Sequence, residues 1–141
     1  MKYDQESYER AVLEGSEDFA GDDLRGVRFL FPDLPEKSYI TKLILDRAKL
    51  SKESVAEIVK KRGGGVSYGS LPNLRFISVR SVDLSAIKLE AEAISYNYDL
   101  SFDFTRTKFK WPNGSVETTG RRKSRSVELH DSLWDEMQNL I

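Results

Sequence analysis

The chain carries one histidine, His130, and no cysteine. Histidine is the usual general base near neutral pH and a thiolate the readiest nucleophile, so two common sources of catalysis are absent or single. His130 stands just ahead of the C-terminal segment and reads as a surface residue. No HxxxH or paired-carboxylate spacing suits a metal or acid–base chemistry, and no GxSxG supports a Ser-His-Asp arrangement. The glycine-rich "GGGVSYGS" at 63–70 follows the basic run Lys60, Lys61, Arg62. Phosphate sites place glycines before a helix N-terminus, not after a basic C-terminal turn, so this stretch reads as a helix stop and a linker. Asp23, Asp33, Asp83 and Asp103 recur at one position of a repeat and read as outer-face residues. The expectation is a non-enzymatic protein with no catalytic residue, no cofactor and no metal.

What remains is binding. The segment "RTKFKWPNGSVETTGRRKSR" interleaves bases with aromatics, as a nucleic-acid surface does through phosphate contacts and stacking. Its candidate partner-binding residues are Arg106, Lys108, Lys110, Trp111, Arg121, Arg122, Lys123 and Arg125. The net charge of the chain is −1, but it hides three poles. Residues 1–36 hold four Lys/Arg against ten Asp/Glu, residues 105–125 seven against one, and residues 126–141 four acids and no base. Segregation of this kind orients a partner or pairs two copies of the chain, unless each pole is simply a solvated face.

The elements that must carry these residues follow an unusual period. In "NLRFISVRSVDLSAIKLEAEAI" the apolar anchors Leu74, Val79, Leu84, Leu89 and Ile94 fall every five residues. A helix repeats at 3.6 and a strand at 2. The frame continues to Phe104 and Phe109, and upstream through Phe19, Leu24, Phe29, Leu34, Tyr39 and Ile44. Two residues per unit, the centre and the one two before it, can point inward. About four such units make one square turn of very short strands, and successive turns stack by parallel pairing.

The units "DDLRG", "VDLSA" and "FDFTR" resemble the repeat of the pentapeptide-repeat proteins. "YERAVLEGSEDFAGDDL" is similar to the way many members begin, and "KFKWPNGS" to a common exit. The resemblance implies an all-β solenoid, a right-handed quadrilateral β-helix, here with N-terminal, inserted and C-terminal helices. It also implies docking on another protein through solenoid faces, as a binding module or an inhibitor. Some members imitate a DNA duplex and bind type II topoisomerases, which needs an acidic face along the rod. Here the acids cluster in the first third. Lys37 and Lys42 fall at inward positions of the frame and predict an irregular turn near them.

The chain reads as a single domain with repeat blocks at 17–44 and 72–111. A helix–loop insertion is expected over 51–70, with Ser51 or Ser54 as cap and Val55, Ile58 and Val59 as apolar face. Residues 4–14 read as a first helix that lays Tyr8, Ala11 and Val12 on an otherwise unpaired sheet edge. Residues 126–141 read as a C-terminal cap or a dimer helix, with Leu133, Trp134, Met137, Leu140 and Ile141 on one face and a capping box at Ser132 and Asp135. The expected partners are another protein, a second copy of the chain or, as the alternative, nucleic acid bound by the 105–125 strip. No apolar run is long enough for a membrane span, the start lacks a signal peptide, and the absence of cysteine fits a reducing cytoplasm.

Overall fold

A computed structural model describes residues 1–28, 34–60, 70–90, 101–111, 114–118 and 123–125, with Ser101 and the last three given by their backbone. The first helix, α1 (Gln5–Leu13), starts at a capping box: the Asp4 side chain accepts from Ser7 N, and the Ser7 hydroxyl accepts from Asp4 N. It buries Tyr8 and Val12 and half-buries Ala11, as its apolar spacing requires. Very short strands follow: β1 (Asp23–Leu24), β2 (Lys42–Ile44) and β3 (Lys49–Leu50). A second helix, α2 (Lys52–Val59), is capped by Ser51 and buries Val55, Ile58 and Val59. Then come β4 (Phe76–Ser78), β5 (Asp83–Lys88), β6 (Ser101–Asp103), β7 (Lys108–Lys110), β8 (Val116–Thr118) and β9 (Lys123–Arg125).

The strands make three small sheets, ordered β1-β3, β2-β4-β6-β9 and β5-β7-β8. Pairings between the repeat strands are parallel, whereas β8 and β9 return antiparallel onto β7 and β6. This corrects the expected quadrilateral β-helix. Among the described residues the sheets are separate, mixed and not closed, and no solenoid runs through them. Two physical causes are visible. The helix α2 leaves the chain directly after β3 and packs on β5, so the β1-β3 pair does not continue into β5-β7. The antiparallel strands then reverse the winding direction at the far end.

The period of five nevertheless governs what is inside. Phe19, Leu24, Leu74, Val79, Leu84, Leu89, Phe104 and Phe109 are all buried, as are Ile77, Val82, Phe102 and Thr107 two places before a centre. The inner residues stack in register: Leu43, Ile77 and Phe102 face one another across β2-β4-β6. Leu84 is opposite Phe109 across β5-β7. Phe102 stacks on Phe104, Phe104 meets Phe109 edge-on, and Phe109 stacks on Trp111, with centroids 5.0, 5.0 and 5.8 Å apart. A fully buried side chain of this size stabilises the fold by roughly 2–3 kcal/mol. Thr107 is a polar residue at an inward position, and its hydroxyl donates to Val79 O at 2.7 Å, which removes the cost of burying it.

Two expected centres are wrong. Tyr39 is 68% exposed and Ile44 is only half-buried. Between Leu34 and Ile40 the frame slips by one residue, so that Ser38 with Ile40 and Leu43 with Leu45 are the buried pairs. The slip also moves Lys37 and Lys42 outward, where both are exposed. Phe29, Ile94, residues 61–69 and the C-terminal segment with His130, Leu133, Trp134, Met137, Leu140 and Ile141 lie outside the described residues.

Corners recur as regularly as the core. Asp18, Asp23, Asp83 and Asp103 each accept a hydrogen bond from the backbone N–H two residues ahead, at 3.0, 3.1, 2.8 and 3.0 Å. These are Asx-turns, in which a short carboxylate imitates a backbone turn. Gly21, Arg47, Ser81 and Arg106 then bend the chain with φ of 74°, 59°, 57° and 53°.

Candidate functional site

The frame slip places an aromatic residue on the surface. Ser38 and Ile40 are buried, so alternation along the extended chain turns Tyr39 outward. Just beyond it the chain enters β2, which pairs with β4. Thr41 O accepts from Arg75 N at 2.8 Å and from Phe76 N at 3.2 Å, and Phe76 is the Cα partner of Lys42 in the β2-β4 pair. Arg75 and Lys42 are exposed and Phe76 is half-buried. The Arg75 guanidinium folds back to donate to Pro72 O and Leu74 O at 3.3 and 3.1 Å. Lys42 and Phe76 thus share the outer side of the β2-β4 pair, with Arg75 opposite Thr41 and Tyr39 three residues ahead of Lys42.

Glu17 fixes this patch from below. Its Oε2 accepts from Thr41 N at 2.9 Å and Lys42 N at 3.2 Å. Partial burial alone would raise its pKa, but these backbone donors and the Lys42 charge outweigh it and hold the carboxyl below its ordinary value. Asp4, Asp23 and Asp83 are also held low. The causes are the Ser7 backbone N–H for Asp4 and the Arg25 side chain for Asp23, while for Asp83 the Ser85 hydrogen bonds overcome partial burial. A depressed native pKa contributes stability that is present above the unfolded value, near 4, and is lost as pH falls through the folded one. The melting temperature is therefore expected to be flat from about pH 7 to 5 and to fall steeply below about pH 4. Glu17→Gln should make the acid limb shallower, as followed by circular dichroism. An equally steep limb in that variant would remove Glu17 from the explanation.

A second cluster joins the two helices. Gln5 Nε2 donates to Arg28 O at 3.2 Å, Arg28 N donates to Gln5 Oε1 at 2.7 Å, and Arg28 Nε lies 3.6 Å from Glu57 Oε1. The Ser54 hydroxyl donates to Val27 O. Burial, with the Glu57 charge adding to it, pushes the Tyr8 phenol well above its ordinary value, so it stays neutral. The Glu57 carboxylate is almost enclosed between α1 and α2, and the arrangement locks the helices together.

The expected basic strip loses its aromatic member. Trp111, the residue expected to be free for stacking, is 1% exposed and belongs to the core beside Phe109. The frame does not predict this: Trp111 lies two residues past the centre Phe109, and the stacking of its ring on that of Phe109 carries it inward. Arg106 and Lys108 are exposed and Lys110 is half-buried. Lys110 and Lys108 sit in β7, whereas Lys123 and Arg125 sit in β9, which belongs to a different sheet. Arg121 and Arg122 lie outside the described residues. No family model, no curated protein and no solved structure matches the chain. The resemblance to the pentapeptide-repeat proteins therefore rests on the quoted repeats alone.

Among the described residues no group of three His, Cys, Asp or Glu is placed to hold a metal ion, and no helix is long and apolar enough to cross a membrane. Of the repeated aspartates, Asp23, Asp83 and Asp103 are engaged in turns, and Asp33 lies outside the described residues. The Tyr39 patch was missed by sequence reading. Its signal was present: two lysines at inward positions, both relieved by a one-residue shift.

Proposed function

We propose that the chain is a non-catalytic docking protein that recognises another protein through the outer surface of its parallel strands, centred on Tyr39, Arg75 and Phe76. The observation that carries this reading is the exposed Tyr39, three residues ahead of the β2-β4 pair that presents exposed Lys42 and half-buried Phe76, on backbone fixed by Glu17. Tyr, Phe and Arg are the residues in which the centres of protein interfaces are enriched. A rigid backbone under them reduces the ordering cost of association.

The test is affinity capture from native lysate with tagged wild type and Tyr39→Asp, each with and without nuclease. The expected result is a protein partner retained after nuclease by wild type and lost with Tyr39→Asp, at an unchanged melting temperature. A capture abolished by nuclease, or one indifferent to Tyr39→Asp, would turn the reading down.

A further inference from the structure

A second surface, distinct from the Tyr39 patch, lies along the left-handed corners. Gly21, Arg47, Ser81 and Arg106 occupy equivalent places in successive levels. Gly21 N donates to Asp46 O at 2.8 Å, Arg47 N to Arg80 O at 2.9 Å, and Ser81 N to Thr105 O at 3.0 Å. A residue with a Cβ is disfavoured in the left-handed region and glycine is not. The chain uses glycine at the first of these corners. At two of the other three it places a long cation instead. Backbone strain kept at a repeated position points from the outlier to a role for the side chain.

The charges at this edge favour one class of partner. Arg47, Arg80 and Arg106 are exposed, and so are Lys49 and Lys108, each two residues past a corner arginine. The nearby acids are Asp46, Asp83 and Asp103. Asp46 accepts from the Ser78 hydroxyl and from Arg80 N, Asp83 from Ser85 and Asp103 from Thr105. Arg80 Nε also lies 3.9 Å from Asp103 Oδ2. These short carboxylates are drawn back against the turns, while the longer Arg and Lys side chains can reach past them. Neighbouring strands are about 4.8 Å apart, so Arg47 and Arg106, two levels apart, are separated by about 10 Å. One strand of a duplex advances about 3.4 Å per phosphate, so the row spans about three phosphates.

We propose that this corner edge binds the phosphate backbone of a nucleic-acid duplex without reading its sequence. Guanidinium forks match phosphate oxygens in pairs. The residues between them at the surface are exposed Ser81 and half-buried Thr105, which bring no apolar anchor. An acidic protein surface ordinarily brings such an anchor, and this edge has no place for one. Contacts of this kind fix position on the duplex and carry no base information.

Fluorescence anisotropy with a labelled duplex oligonucleotide tests the site. Neutralising about three phosphates predicts a loss of roughly 40-fold in affinity between 50 and 200 mM salt. The pair Arg47→Gly with Arg106→Gly should bind at least about 10-fold more weakly, because about two phosphate contacts are lost. Its melting temperature should be unchanged or higher, since glycine suits both corners. The pair Arg47→Ser with Arg106→Ser, which copies Ser81, should show the same loss of binding. Absence of binding at 50 mM salt, salt-independent binding, or unchanged affinity in both pairs would overturn the proposal. So would a polyglutamate peptide that displaces the duplex at equal charge concentration, since that outcome assigns the edge to an acidic protein. A drop in melting temperature in both pairs would show the arginines to be structural, which also overturns it.

Discussion

Leu84→Asp should abolish the cooperative melt of the protein. Leu84 is fully buried at the middle of the inner layer, opposite Phe109 in the β5-β7 pair and on the strand against which α2 packs. A carboxylate there has no partner to meet it. Its burial costs several kcal/mol, against the roughly 5–15 kcal/mol that holds a domain together. The expected thermal scan by circular dichroism has no sigmoidal transition. Ala86→Asp, two residues along the same strand and exposed, is the control and should melt like wild type. A folded Leu84→Asp protein with an unchanged midpoint would show that the inner register is wrong.

Trp111→Ala should be nearly as damaging, with a loss of about 3–5 kcal/mol from lost burial and the cavity left behind. At this chain length that is a fall in melting temperature of roughly 10–20 °C. The indole Nε1 has no hydrogen-bond partner among the described residues, so the loss is one of packing rather than of a polar contact. Trp111→Phe should recover most of it by keeping the stack on Phe109. A melting temperature indifferent to Trp111→Ala would instead return this residue to the surface role that its basic neighbours suggest.

The two variants touch opposite outcomes of reading this sequence. Leu84 was legible because a strict period of five leaves few alternatives for what lies inside, and Phe104 and Phe109 followed from the same count. Helix α2 was legible from Ser51 and from the spacing of Val55, Ile58 and Val59. Trp111 was not, because Lys110 and the nearby arginines made it look like part of a basic surface, whereas packing on Phe109 decides its place. Tyr39 failed for the opposite reason: the count was continued through a slip that only backbone pairing reveals. The closed square winding failed because repeat spacing fixes local stacking but not what an intervening helix or a returning strand does to continuity. Of the docking patch, Arg75 and Phe76 belong to a repeat unit by count, yet their place opposite Thr41 and Lys42 depends on the β2-β4 register. The corner arginines were invisible because a positive φ at Arg47 and Arg106 leaves no mark in residue type; only Gly21 hints at it.

The antiparallel return of β8 and β9 has a consequence for growth. Parallel stacks with an open terminal strand can recruit an identical chain, and then another, with no step that ends the series. Here the strands that finish the β6 and β7 edges run the other way, are three residues long, and include Glu117 in one and Lys123 and Arg125 in the other. An incoming copy at these edges meets reversed polarity and charge rather than a template. At this end the parallel series is finished by two short return strands, β8 on β7 and β9 on β6, rather than left as a parallel template.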